Sequence, residues 1–297
     1  MFDLRYHAAS LAAVFIALII GILVGVGISG RGFVSDSERS LFEARIDELE
    51  QRADAATRRA AELDRAQRAA QQVIERTYAA LIANRLSGKR IAVVFVGSAE
   101  GRTLSLLERT LSDAGAGGVT RMRALKMPID LKAMRAALGE RPALQQLATA
   151  QRVSELGRRL AQDFLAGGDS PLWQALTEQL VEERAGSDKP PADGAVIIRN
   201  TEPQQGVTAR FLRGFYIGLR SAGVPAVGAE TSGIRGRDSA IDAFIRADLS
   251  SVDDLDLEAG RIALTLLLAG SPQGHYGVKQ TAADGVLPVV EPAPPSG

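Results

Sequence analysis

The first strong pattern along the chain is an uncharged apolar run just behind the N-terminus. It covers the 22 residues from Ala8 to Ser29. At 1.5 Å per residue, a helix of that length spans about 33 Å, enough for one crossing of the hydrocarbon core of a bilayer. We therefore predict a transmembrane anchor over residues 1–30. A cleaved signal peptide is the alternative, although its apolar region would usually be only about 7–15 residues long.

Small residues recur at every fourth position of this run and would form one stripe along a helix. The stripe includes Ala17 and a GxxxG pair at Gly21 and Gly25. Such a stripe allows two helix backbones to approach closely in lipid. The pattern predicts that the anchor self-associates, with the general abundance of Ala and Gly in membrane spans as the alternative explanation.

A heptad pattern follows, and it predicts a coiled-coil helix over residues 31–86. Four-three spacing holds from Phe42 to Leu81, and ten of the twelve core positions are apolar. This 3.5-residue period is typical of helices that pair along one seam. A parallel dimer is the favoured interpretation, and an isolated helix or an intramolecular bundle is the alternative. The residues predicted to form the contact between copies are Ala17, Gly21, Gly25, Leu49, Leu63, Gln67 and Ile74.

Beyond the heptads, short apolar runs alternate with amphipathic helical segments, which predicts an α/β domain over residues 87–283. Two or three helices are expected between Leu131 and Arg184. Residues 284–297 are rich in Pro, Val and Gly and are predicted to be a disordered tail. The fold class is α/β, with a single N-terminal transmembrane helix, a long coiled-coil helix and a Rossmann-like parallel-sheet domain. The predicted strands are Arg90–Val96, Val119–Leu125, Ala195–Arg199 and Ala226–Ala229.

Charge and composition exclude several classes of function. Lys plus Arg balances Asp plus Glu at 35 each, and aromatic residues are sparse, so we expect no nucleic-acid partner. The chain has no cysteine, which excludes a disulfide framework and a thiol nucleophile. The glycine-containing turn at residues 97–101 lacks both phosphate-binding spacings and is interpreted as a plain strand-to-helix turn.

Five carboxylates lie within eleven residues, between Asp248 and Glu258. Oxygen ligands at this density could hold Ca²⁺ or Mg²⁺. The segment lacks EF-hand spacing and precedes the apolar helical stretch Ala259–Leu268. We therefore favour helix capping, with Ser251 and the acids forming the cap and first turn.

Candidate copper ligands are few. His275 lies between glycines in a segment predicted to be a loop, and Met122 and Met127 offer thioethers to Cu(I). A loop hydrogen bond for His275 and core packing for the methionines are the alternatives.

Both ends of the chain resemble the mycobacterial copper-transport protein B (MctB) family. The resemblance lies in the opening LRYHAASLAAVFIALIIGILVGVGIS, the coil behind it, the GRIALTLLLAG helix and the late GHYG. It implies an envelope protein that is exported beyond the inner membrane and acts in copper efflux or as a channel-like protein. It supplies no metal ligand that can be assigned to a residue here. Arg31, Arg39 and Arg45 behind the apolar run instead favour a cytoplasmic domain by charge count.

The resulting functional hypothesis is a membrane-anchored, oligomeric envelope protein of copper transport or homeostasis that is not an enzyme. No cofactor is fixed by the sequence, and copper is the metal that the resemblance suggests. The soluble domain is expected on the exported side, with an envelope protein as a further candidate partner. The alternative is a coiled-coil scaffold or interaction protein with a non-catalytic α/β domain.

Overall fold

The computed structural model describes residues 4–29, 36–139 and 141–290. By its internal contacts the chain divides into two units, Met1–Ala70 and Gln71–Gly297. The division falls inside a long helix, so the last turns of that helix belong to the second unit.

The described part of the first unit is helical, and the large apolar side chains from Leu11 to Val26 and from Leu41 to Leu63 are exposed. Helix α1 runs over Leu4–Ser29, and its stretch Ser10–Gly27 is long and apolar enough to cross a bilayer. Helix α2 runs over Asp36–Ile82 and confirms the predicted long helix. Its acid-before-base spacing produces ion pairs between Glu48 and Arg52 and between Asp64 and Arg68, which give a helix modest support.

The second unit is built on one sheet, in which the described residues form seven strands in the order β3-β2-β1-β4-β5-β6-β7. All neighbouring pairs are parallel except β2 and β3, which are antiparallel. The first six places follow the order of doubly wound nucleotide-binding folds, apart from the direction of β3. The strands are β1 (Ile91–Val96), β2 (Val119–Leu125), β3 (Val181–Gly186), β4 (Gly194–Arg199), β5 (Ala226–Ala229), β6 (Ser250–Val252) and β7 (His275–Tyr276).

Helices cover both faces of this sheet, so its central strands are buried throughout. In β1, Val94 and Val96 point into one core cluster, while Val93 and Phe95 point into the other. This alternation explains why the buried strands are uniformly apolar rather than patterned. The helices of the domain are α3 (Gly101–Asp113), α4 (Leu131–Ala137), α5 (Pro142–Gln145), α6 (Val153–Ala166), α7 (Pro171–Leu180), α8 (Gly206–Arg220), α9 (Ile241–Ile245) and α10 (Glu258–Ala269).

The end of α2 packs on one of these cores. Ile74, Tyr78 and Leu81 contact the cluster that also contains the fully buried Ile82 and Leu86. The apolar residues at this end of the heptad pattern therefore pack against the chain's own domain rather than remaining exposed.

The four predicted strands are confirmed, whereas three further strands were not predicted. The expectation of helix up to Arg184 was wrong, because β3 begins at Val181 and pairs with β2. Its residues after Val181 are exposed and largely charged, so they carry no apolar signal of a strand. The other two, β6 and β7, are three and two residues long, too short for any periodicity.

Part of the segment predicted to be a tail contacts the domain. Asp284 accepts a hydrogen bond from the backbone N–H of His275 at 2.8 Å, and the carbonyl of Gly285 accepts one from Gly277 at 3.0 Å. Pro288 is buried. Residues 291–297 lie outside the described part of the chain.

Candidate functional site

The strand order reverses between β1 and β4, the point at which open α/β sheets hold their ligands. Here the two loops that leave these strands are bonded to each other. The backbone N–H of Asn200 donates to the carbonyl of Val96 at 2.9 Å, and its side-chain amide donates to the carbonyl of Ser98 at 3.0 Å. The turn at residues 97–101 is thus packed against its neighbour, in agreement with its interpretation as a plain strand-to-helix turn.

A buried group of charged side chains lies instead beyond the carboxyl ends of β5 and β6. It consists of Glu230, Asp253, Asp254 and Lys279, which we call the carboxylate cluster. Each of the three carboxylate residues is at most 1% exposed. Burying charges at this density is costly unless they are paired or hydrogen-bonded, so their partners decide what the cluster does.

Glu230 is fully satisfied. Its carboxylate accepts hydrogen bonds from Lys279 Nζ at 2.6 Å, from the Ser239 hydroxyl at 2.7 Å and from the Ala240 backbone N–H at 2.7 Å. Lys279 also donates to the carbonyl of Thr231 at 2.9 Å. This buried ion pair joins the end of β5 to the segment that follows β7.

Asp253 holds that same segment through its backbone. One carboxylate oxygen accepts the N–H of Val278 at 2.9 Å and that of Lys279 at 3.3 Å. Gly277 lies directly over the carboxylate with φ +141°, and a Cβ at this position would collide with Asp253. The last glycine of the GHYG sequence is therefore required by close packing as well as by backbone conformation.

Asp254 differs from its neighbours because neither of its carboxylate oxygens has a hydrogen-bond partner in the described part of the chain. Its side chain is fully buried against Gly260 of α10, where a Cβ would collide with it. Burial first, and then the charges of Asp253 and Asp256, raise the pKa of Asp254 to about 7. This carboxyl consequently changes protonation near neutral pH, unlike an ordinary aspartate.

The predicted capping role of this acidic segment is correct only for Glu258, which lies in the first turn of α10. Ser251 is a residue of β6 and bonds to His275, so it cannot cap the helix. Asp256 binds the backbone N–H and hydroxyl of Ser232 at 2.6 and 2.7 Å. Because α10 starts seven residues after Ser251, Asp253 and Asp256 are too early to cap it and instead bond to the loops at the strand ends.

His275 lies in β7 rather than in a loop and is partly exposed. Its Nδ1 is 2.9 Å from the Ser251 hydroxyl, and the described residues offer no hydrogen-bond partner to Nε2. A neighbour that fixes one ring nitrogen and leaves the other available is the usual arrangement of a metal-binding histidine.

The two candidate methionines are not near His275, and they lie on opposite faces of the sheet from each other. Met122 of β2 is 1% exposed in one core cluster, whereas Met127 packs against the cluster on the opposite face. Since β2 and β7 are five strand positions apart, Met122 lies about 24 Å from His275 at about 4.8 Å per strand. Within the described residues, no three His, Cys, Asp or Glu side chains converge as a metal site either.

Comparison with known proteins identifies the family. The profile of the family described as "Copper transport outer membrane protein, MctB" matches residues 1–288. In an alignment 316 positions long, gaps included, the chain is 28% identical to the "Copper transporter MctB" of Mycobacterium bovis and to that of Mycobacterium tuberculosis. Each alignment covers 93% of this chain and 96% of the relative.

The chain belongs to the MctB family.

The predicted resemblance is thereby confirmed, together with membrane association through an N-terminal apolar helix. The family match extends over α1 and the whole α/β domain, including the carboxylate cluster and His275. Gly260 and Gly277 belong to the two late segments that resemble the family. In the structure both glycines pack tightly against the carboxylate cluster.

Sequence reasoning missed Glu230 and Lys279 as site residues. They are 49 positions apart and meet only because the segment after β7 returns across the end of β5. The acidic run was visible in the sequence, but nothing local to Glu230 or Lys279 indicates that they are paired or buried.

The residues predicted to form the contact between copies fall into two groups. Gly21 and Gly25 have no heavy atom within 4 Å of the position a Cβ would take. Leu49 is 59% exposed and Leu63 is 71% exposed, while Ala17 and Gln67 are also exposed. Ile74, in contrast, is half-buried against the chain's own core. Self-association through the exposed positions stays a prediction.

Proposed function

We propose that this MctB-family chain takes part in copper transport or copper homeostasis at a membrane, as an anchored and non-enzymatic protein. The observation that carries the proposal is the family match over residues 1–288, which includes both the apolar helix and the α/β domain. Its two mycobacterial relatives, aligned over nearly their full length, are named copper transporters.

We further propose that the α/β domain lies on the exported side of the cell envelope, where an envelope protein would be its partner. The family description, which names an outer membrane protein, supports this orientation. The arginines that follow the apolar run favour the opposite one, although long domains often translocate despite flanking charge. Protease accessibility of the domain in intact spheroplasts distinguishes the two orientations.

His275 is the residue that we propose to contact copper directly. Its free Nε2 and the Ser251 contact at Nδ1 support the assignment. Met127 is partly buried and Met122 is buried, and both lie far from His275 along the sheet order. A copper site at His275 would therefore need a further donor from a second copy, a partner protein or a small ligand.

The first test is a Cu(I) titration of the full-length protein in detergent micelles, in competition with a chromophoric chelator. We expect Cu(I) binding that is lost in His275→Ala and kept in His7→Ala, which removes the chain's other histidine. Retention of binding in Met122→Leu and Met127→Leu would restrict the site to His275 and its external donor. Absence of binding in the wild type would contradict direct copper contact.

The cellular role is tested separately. Cells that lack the chain should differ in copper content from cells that carry it, measured by mass spectrometry of washed cells. A chain without residues 1–30 should fail to restore the normal content if anchoring is required. Unchanged copper content after loss of the chain would contradict the transport proposal.

A second candidate function is that of a coiled-coil scaffold, and the exposed seam of α2 favours it. Phe42, Ile46, Leu49 and Leu63 are 54–71% exposed, which is unfavourable for apolar side chains unless a second helix covers them. We propose that a second copy covers them in a parallel dimer. A dimeric protein whose loss leaves cellular copper unchanged would favour the scaffold over transport.

A further inference from the structure

A cavity of about 270 Å³ lies beside the carboxyl end of β4, bounded by α8 and α9. Four arginines line it: Arg199, Arg210, Arg213 and Arg246. No residue of its lining carries a carboxylate. The cavity is therefore strongly positive, whereas the chain as a whole has a net charge of zero.

Arg199 forms the buried end of this cavity and is 8% exposed. Its Nη2 donates to the backbone carbonyls of Asp238 and Ser239, both at 2.8 Å. Its Nε is buried and has no hydrogen-bond partner in the described part of the chain. Leaving such a donor unsatisfied is costly, and a charged donor more so, so a water molecule or a ligand atom in the cavity would stabilise it.

The other three arginines are exposed, and their side chains are unpaired within the described part of the chain. Arg210 and Arg213 lie one turn apart on the same face of α8, and Arg246 follows the last residue of α9. None of the three side chains has an ion pair or hydrogen bond to another described residue. In a second cavity of the domain, by contrast, Arg123 is engaged with Asp188 and Arg121 donates to the carbonyl of Phe164.

We propose that this cavity binds the phosphate group of a small molecule. Guanidinium groups recognise phosphate through paired, charge-assisted hydrogen bonds. Several of them around one space repel each other until an anion is bound. Leu212, Ala243 and the ring of Tyr216 supply an apolar wall for a small organic part of the ligand.

The position and the size of the cavity favour a soluble phosphate ester. The carboxyl end of a parallel strand is where open α/β sheets bind small ligands, and about 270 Å³ is at the lower limit for a small-molecule site. The phosphate headgroup of a lipid has the same chemistry and is the other source that the experiment must separate. The inference does not depend on the copper proposal.

The test is calorimetric titration of the full-length protein in phospholipid-free detergent micelles with pyrophosphate. We expect binding with a Kd below about 1 mM, as several charge-assisted hydrogen bonds would give. The exposed double variant R213Q/R246Q should bind at least about tenfold more weakly. Its fluorescence melt, followed at Trp173, should match that of the wild type, because both substituted side chains lie at the surface.

The matched control is R109Q/R135Q, which removes two exposed arginines of the same domain that lie outside the cavity. Equal weakening in this control, unchanged binding in R213Q/R246Q, or no binding by the wild type would each overturn the proposal. Glycerol 3-phosphate and a short-chain phosphatidate then identify the source. Binding of both supports a soluble ester, whereas binding of the phosphatidate alone assigns the same arginines to a lipid headgroup.

Discussion

The two units of this MctB-family chain differ in how far their apolar side chains are exposed. In the first unit, the large apolar side chains from Leu11 to Val26 of α1 and from Leu41 to Leu63 of α2 are more than half exposed. In the second, both faces of the sheet are covered and the core side chains have almost no exposed surface. The second unit thus covers its own apolar side chains, whereas the partners that we propose for those of the first unit are lipid and a second copy of the chain. The comparison makes four predictions, described in order of expected effect on the stability of the α/β domain.

The largest effect should come from Lys279→Met, which leaves Glu230 buried and without its counter-charge. Removal of one partner of a buried ion pair costs about 3–5 kcal/mol. Urea unfolding of the full-length protein, followed by Trp173 fluorescence, measures the free energy of unfolding. Lys189→Met removes an exposed lysine with no side-chain bond and should change it by less than about 0.5 kcal/mol. Equal stability of both variants would mean that the second unit does not depend on this internal pair.

The next effect concerns pH, through Asp254. Its pKa is about 7 in the folded protein and about 3.9 in an unfolded chain. Between these values the folded state holds a proton that the unfolded state has lost, so stability falls as pH rises and levels off above pH 7. Between pH 5 and pH 8, the wild type should lose about 3 kcal/mol that Asp254→Asn does not lose.

The same urea titrations at the two pH values measure this difference. Asp242→Asn changes an exposed carboxylate of α9 and should keep the pH dependence of the wild type. If Asp254→Asn also keeps it, the buried carboxyl is not the group that titrates.

A smaller effect on the free energy of unfolding is expected from substitutions on either side of the boundary between the units within α2. Ile74 and Leu63 are both core positions of the heptad pattern, but Ile74 contacts the domain core whereas Leu63 is 71% exposed. Ile74→Ala should lower the free energy of unfolding of the domain by about 1–2 kcal/mol, since the side chain is half-buried. Leu63→Ala should leave it within about 0.5 kcal/mol. Similar losses from both substitutions would remove the distinction between the units.

The smallest effect on the domain should come from Leu49→Glu combined with Leu63→Glu. Charges at two seam positions should abolish dimer formation, measured by analytical ultracentrifugation in detergent, while the Trp173 unfolding curve stays within about 0.5 kcal/mol. Ala44→Glu combined with Ala61→Glu adds the same charges outside the seam and should keep the dimer. A monomeric wild type would contradict the predicted pairing.

The sequence predicts what depends on local periodicity. Uniformly apolar runs such as Ile91–Val96 identify the central strands because helices cover both of their faces. The charged edge strand Val181–Gly186 and the two-residue strand at His275 carry no such signal, and only pairing with a neighbour defines them. A buried strand can be predicted because its residues are apolar. A strand that is defined only by backbone pairing leaves no such sign in its composition.

The candidate sites depend even more on tertiary contacts. His275 was visible as one of two histidines, yet its contact with Ser251 exists only because β6 and β7 are neighbours. Arg199 looks like the end of an ordinary strand. The sequence indicates neither that its Nε lacks a hydrogen-bond partner nor that α8 and α9 bring three further arginines to the same cavity.

The two edges of the sheet have a consequence for a protein held in a membrane. Copies confined to a plane meet far more often than copies in solution, and an unpaired strand invites a neighbouring sheet to add to it. Edge strand β3 exposes Glu182, Glu183 and Arg184 along its length. At the other edge, His275 of β7 is bonded to Asp284, and Gly277, just after the strand, is bonded to Gly285. The domain can therefore be crowded at a surface without joining its sheets into a polymer.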